Sequence, residues 1–179
     1  MSERLPVQVN PFRMAAQGRS FEGVVDLAKA GRLAQALAAP AGEAVVQLAF
    51  RVDELKAPVV EGRVRARLTL VCQRCLEPME LEVDVPIQAV LVKSDAEAER
   101  LQAQYEPIVI EDETLWVLDL VEDELLLALP LVPAHSTVEE CAPHAARALE
   151  RAGGEVPDEE SPADESSGPF AELRKLKPN

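Results

Sequence analysis

At 179 residues and 19.5 kDa the chain has room for one ordinary domain and a tail, but not for two full domains. Hydrophobic residues make up 47% and aromatics only 3%, so the core has to be built from Val, Leu and Ala, and no aromatic platform is available for stacking bases. With 18 basic against 32 acidic side chains and a net charge of −14, the protein repels a polyanion at long range, which excludes a generic nucleic-acid-coating protein.

The opening MSERLPVQVN carries no apolar signal-peptide core. The longest apolar stretch, Leu125 to Ala134, is about half a membrane span and is broken by Pro130. A soluble, cytoplasmic protein without membrane contact is expected. Three cysteines fit a disulfide framework poorly and a reducing compartment or a metal site better.

In chain order, a helix is expected over Asp26 to Leu37 and a strand over Ala44 to Val52. Next, Val64, Ala66, Leu68 and Leu70 alternate with Arg63, Arg65 and Arg67; further on, Met79, Leu81, Val83 and Val85 alternate with Glu80, Glu82 and Asp84. An antiparallel hairpin with its tip between Gln73 and Arg74 sets Arg67 against Glu80, Arg65 against Glu82 and Arg63 against Asp84. The same register sets Leu68, Ala66 and Val64 against Met79, Leu81 and Val83, and Cys72 against Cys75. A helix over Asp95 to Gln104 and a strand over Pro107 to Glu111 follow. Asp119 and Glu122 form a capping-box variant before the stripe Val121, Leu125, Leu129, so a helix is expected from about 120 to 129, closed by Pro130. No internal repeat is present, which excludes a solenoid.

The acids are unevenly placed. Residues 1–100 carry 13 basic and 14 acidic side chains, a net of −1, while residues 101–179 carry 5 and 18, a net of −13. Residues 153–168 contain Val156 as their one large apolar side chain, too little burial to offset ordering entropy. They read as a disordered acidic linker. Beyond them the C-terminal segment, residues 169–179, holds PFAELRKLK, where Phe170, Leu173 and Leu176 fall at helical spacing behind a Pro start. This short amphipathic segment either folds back onto the domain or docks in a partner's groove, and its Arg174, Lys175 and Lys177 suit an acidic surface. The expected architecture is α+β: one domain over residues 1–152 with a mainly antiparallel sheet and a few helices.

No phosphate-binding glycine loop, dinucleotide fingerprint or serine nucleophile elbow occurs. The informative cluster is Cys72-Gln-Arg-Cys75, followed about 60 residues later by His135-x5-Cys141. Two thiolates on a tight turn can hold two corners of a zinc ion and a second pair can complete the tetrahedron. Full ligation leaves no water on the metal, making such a zinc structural. The alternative is a free or oxidised thiol pair with Cys141 as a loop cysteine. A redox CxxC opens a helix, whereas strands flank this one. The arginine row invites a phosphate-backbone reading, but the facing acids neutralise it; Arg74, with no facing acid, is the better RNA-contact candidate.

Several of these pieces together resemble the YceD family, the large ribosomal RNA subunit accumulation proteins of bacteria and plastids. They are Asn10-Pro11-x-Arg13, CQRCLEPM at 72–79, Tyr105-Glu106-Pro107-Ile108, VEDELLLALPLVPAH at 121–135, Cys141 and the terminal PFAELRKLK. The resemblance implies a role in 23S rRNA accumulation, and so in processing or assembly of the large ribosomal subunit, with no established catalytic reaction. Some relatives carry cysteine where His135 stands, an exchange that zinc tolerates. The expectation is a non-enzymatic adaptor whose acidic surface attracts basic ribosomal proteins or rRNA-processing factors. The alternatives are a factor binding precursor 23S rRNA directly through Arg74 and the hairpin tip, and a thiol or metal enzyme.

Overall fold

A computed structural model describes residues 3–39, 42–101, 106–141 and 143. The expected linker at 153–168 and the C-terminal segment with Phe170, Leu173 and Leu176 lie outside the described residues, as does the end of the domain assigned to 1–152. In chain order the elements are β1 (Glu3–Arg4), β2 (Gln8–Val9), α1 (Pro11–Gln17), β3 (Ser20–Asp26), a 3-10 turn (Leu27–Lys29), α2 (Gly31–Ala36) and β4 (Glu43–Val52). They continue through β5 (Pro58–Val71), β6 (Pro78–Val92), α3 (Asp95–Leu101), β7 (Pro107–Val109), β8 (Leu115–Trp116) and α4 (Val117–Leu127). The fold is α+β. A six-stranded sheet runs in the order β1-β3-β4-β5-β6-β7, antiparallel through its centre and parallel only at its two edge pairs; β2 and β8 form a separate antiparallel pair.

Alternation explains which face is covered. In β4, Ala44, Val46, Leu48 and Phe50 are buried, and in β5 so are Val64, Leu68 and Leu70, while the arginines between them face solvent. Onto the buried face pack Leu27 and Leu33 from the 3-10 turn and α2, and Val121 and Leu125 from α4, in one cluster. With few aromatics the core is aliphatic, and Phe21 meets Phe50 edge to face at 6.0 Å. Gly62 lies where β4 and β5 approach so closely that a Cβ would sit 2.1 Å from the Gln47 carbonyl oxygen.

Four features differ from their expectation. First, the hairpin pairs Arg67 with Glu82, Arg65 with Asp84, Leu68 with Leu81 and Ala66 with Val83, two residues from the expected register. Six residues separate the strands, and the Cys72 N–H donates to the Glu77 carbonyl at 2.9 Å, so Cys72 faces Glu77 and not Cys75. A shift of two keeps every side chain on its face, which is why the pattern alone did not detect it.

Second, the Asp26 to Leu37 helix is divided. Asp26 ends β3 and its side chain accepts from the Ala28 N–H at 3.0 Å, capping the 3-10 turn, and the chain leaves helical geometry at Ala30 before α2. Third, α4 begins at Val117 with Trp116 at its N-cap, placing Asp119 in the first turn. The Glu122 carboxylate turns away from its own helix to α2. Fourth, the strand expected to reach Glu111 ends at Val109, although Ile110 still donates to the Val92 carbonyl at 2.8 Å. No helix among the described residues is long and apolar enough to cross a membrane.

Candidate metal centre

The hairpin loop places the first pair of ligands. Beyond Val71 the chain bends so that the Leu76 N–H donates to the Cys72 carbonyl at 2.8 Å, and Leu76 itself sits at φ 60°, the left-handed region, with its side chain exposed. This turn directs Cys72 and Cys75 to the same side. The second pair arrives from the segment after α4. There, Pro130 and Pro133 prevent helix continuation, and the Pro133 carbonyl accepts from the Gln73 N–H at 2.8 Å, stitching the segment to the loop. Residues 138–141 are helical, with the Thr137 hydroxyl accepting from the Glu140 N–H at 3.3 Å, and this turn delivers Cys141.

The four candidate ligands meet. Cys72 Sγ lies 3.8 Å from Cys141 Sγ, and His135 Nδ1 lies 3.5 Å from both Cys75 Sγ and Cys141 Sγ. All four ligand atoms fall within 4.8 Å of one another. A tetrahedral zinc with Zn–S near 2.3 Å and Zn–N near 2.05 Å has S···S edges of about 3.8 Å and S···N edges of about 3.5 Å. Those three contacts, of the six between four ligands, have the lengths of a zinc tetrahedron's edges, and the residues fit the ion in type and number. The sulfurs are free thiols, since 3.8 Å is far beyond a disulfide bond.

Electrostatics point the same way. All three cysteines are buried, packed with Met79 and Ala134. Burial pushes the Cys72 thiol up, but the backbone N–H groups of His135, Cys75 and Arg74, with the His135 ring, outweigh it and bring Cys72 down to about 5. Two of those N–H groups, of Arg74 and His135, lie 3.4 Å from Cys72 Sγ. Burial and the sulfurs of Cys75 and Cys72 push Cys141 up to about 11. The backbone thus favours one thiolate in the cluster, while burial and the neighbouring sulfurs keep Cys141 a neutral thiol unless a cation offsets the charge. Four protein ligands would leave zinc no open position, which is the pattern of structural and not catalytic sites.

Arg74 does not project freely. Its Nη1 donates to the Thr137 carbonyl at 2.9 Å and lies 3.9 Å from Cys141 Sγ, so it braces the second ligand segment from outside the cluster. Sequence spacing gave no sign of this, because a backbone carbonyl acceptor leaves no mark in the sequence. The strand arginines are engaged: Arg63 bonds Asp84 at 2.8 Å, Arg65 bonds Asp84 at 3.2 Å, and Arg67 bonds Glu82 at 2.5 Å with Glu80 at 3.9 Å. Such exposed, solvent-screened pairs contribute little to stability, so their main effect is to neutralise the row.

Comparison with known proteins adds a family to this geometry. The model of a family described as Large ribosomal RNA subunit accumulation protein YceD matches residues 60–177. The Large ribosomal RNA subunit accumulation protein YceD of Haemophilus influenzae is 34% identical over 175 residues, covering 97% of each chain. No solved structure matches.

Proposed function

Since the chain belongs to the YceD family of large ribosomal RNA subunit accumulation proteins, we propose that it acts, as that name says of its relatives, in accumulation of the large ribosomal RNA subunit, here read as 23S rRNA, as a non-catalytic cytoplasmic adaptor that binds protein. The single observation that carries the adaptor reading is the engaged arginine row. Arg63, Arg65 and Arg67, the densest basic stripe of the described residues, are each bonded to Asp84, Glu82 or Glu80. A neutralised row on a chain of net charge −14 offers bare RNA little. Ribosomal proteins and rRNA-processing factors are basic, and an acidic surface attracts them and speeds encounter.

In this reading Cys72, Cys75, His135 and Cys141 hold a structural zinc that fastens the hairpin loop to the segment after α4. Its contribution is folding free energy, of order 10 kcal/mol in small zinc peptides, and not chemistry on a substrate. Purified full-length protein, titrated separately against 23S rRNA and against basic large-subunit ribosomal proteins, tests the adaptor role. Salt-sensitive protein binding with weak RNA binding is expected. Tight RNA binding with no protein partner contradicts it.

A second reading is favoured by the exposure of Arg74 at the hairpin tip, with no carboxylate partner among the described residues. It makes the chain a direct binder of 23S rRNA precursor. Arg74→Glu, measured on protein that keeps its zinc, separates the two: direct contact predicts a marked loss of binding to precursor rRNA, and the adaptor reading almost none.

A further inference from the structure

Apart from the metal cluster, the feature with most unexplained chemistry is a cleft of about 520 Å³ between edge strand β7 and helix α4. Its apolar floor includes Ile108 and Leu120, and its mouth is formed by Trp116, 50% exposed, and Leu127, 76% exposed. Single exposed apolar residues are ordinary, but here two large ones border one concave surface. The rim is acidic. Glu106, Asp119 and Glu124 line the cleft, and none of them has a basic partner among the described residues, while neighbouring Asp123 is bonded to Arg32. Burial, with the charges of Glu106 and Asp123, pushes the Glu124 carboxyl up, the response of an acid facing other acids without a cation.

We propose that this cleft is the docking site of the chain's own C-terminal segment, residues 169–177. That segment has the complementary composition: Phe170, Leu173 and Leu176 for the apolar floor, and Arg174, Lys175 and Lys177 for the acidic rim. These three are three of only five basic residues after position 100, against 18 acids. The family match runs from residue 60 to residue 177. The segment therefore belongs to the same recognised unit as β6, β7 and α4, despite the acidic stretch before it. Reach is ample: residues 144–168 span up to about 80 Å when extended, against a radius of gyration of roughly 14 Å for a domain of this size. Tethering supplies an effective concentration on the millimolar scale, so even a weak segment is held in cis. The inference does not depend on the adaptor reading, since it concerns contacts within one chain.

Trp116 is the one tryptophan of the chain and stands at the cleft mouth, so its fluorescence reports occupancy directly. In full-length protein, the double substitution Phe170→Glu, Leu173→Glu is expected to shift Trp116 emission to the red and raise acrylamide quenching several-fold. A peptide of residues 169–179 added in trans should reverse both changes. The charge variant Arg174→Glu, Lys175→Glu, Lys177→Glu should expose Trp116 in the same direction. Identical emission and quenching in the wild type and the double variant would overturn the proposal. So would protection that disappears on dilution, which places the segment in a second copy, or protection that appears only when a basic ribosomal protein is added.

Discussion

Glu122 of α4 fastens Arg32 of α2 through both its backbone and its side chain: the carboxylate accepts from the Arg32 N–H at 2.6 Å and from the Arg32 Nε at 3.0 Å. It also accepts from the Leu33 N–H at 2.9 Å. A side chain 90 residues away thus does for α2 what a local cap does for other helices, whose first N–H groups lack partners. Glu122→Ala should lower unfolding free energy by about 2–3 kcal/mol by leaving those donors unsatisfied, measurable by urea denaturation.

The same contact has a pH signature. Burial raises the Glu122 carboxyl, but the N–H groups of Leu33 and Arg32 and the Arg32 guanidinium outweigh it, holding it below its ordinary value of 4.5. A carboxyl depressed in the folded state contributes stability above pH 4.5 and loses it as pH falls through the folded value. Wild-type stability should decline over that window more steeply than that of Glu122→Gln, in parallel denaturation series from pH 6 to pH 3.

Gly62 gives a purely steric prediction. Its substitution by Ala would bring Cβ to 2.1 Å from the Gln47 carbonyl, forcing β4 and β5 apart at the centre of the sheet. A loss of about 2–3 kcal/mol is expected, with hydrogen-exchange protection reduced first at Gln47 and Leu48.

Leu76 gives one of opposite sign. Its left-handed backbone at φ 60° costs a non-glycine residue about 1–2 kcal/mol, and its side chain is 72% exposed, so little burial is lost on truncation. Leu76→Gly should leave metal content unchanged and raise the Tm by a few degrees in calorimetry.

Arg74 ties the hairpin loop to the segment carrying Cys141. Removing the donor to the Thr137 carbonyl should loosen the segment carrying Cys141, and outer-shell substitutions commonly cost 10- to 100-fold in metal affinity. Arg74→Ala should therefore release zinc to a chelator at least about 10-fold faster, followed with a colorimetric zinc indicator.

What the sequence disclosed follows physical range. The burial side of β5 and β6 was legible because alternation is local, but their register was not, since shifts of two residues leave the alternation intact. The strands β1, β2 and β8 are two residues long and carry no period. Helix α1 was missed although its signals are present: Asn10 accepts from the Arg13 N–H at 2.9 Å, Pro11 stands at the first turn and Gly18 ends it at φ 62°. Its seven residues are too few to display a face. The reading of Glu122 as part of a local cap failed because its partner lies across the fold. The cysteine and histidine cluster was legible as two local pairs, while their meeting, where the Gln73 N–H donates to the Pro133 carbonyl, is a long-range contact that no spacing rule supplies.

Metal content of full-length protein purified without chelators tests the central claim most directly. One zinc per chain, lost together with a large fall in Tm in Cys72→Ser and Cys141→Ser, is the predicted result. A folded wild-type protein with no bound zinc, equally stable with and without added Zn²⁺, would contradict it.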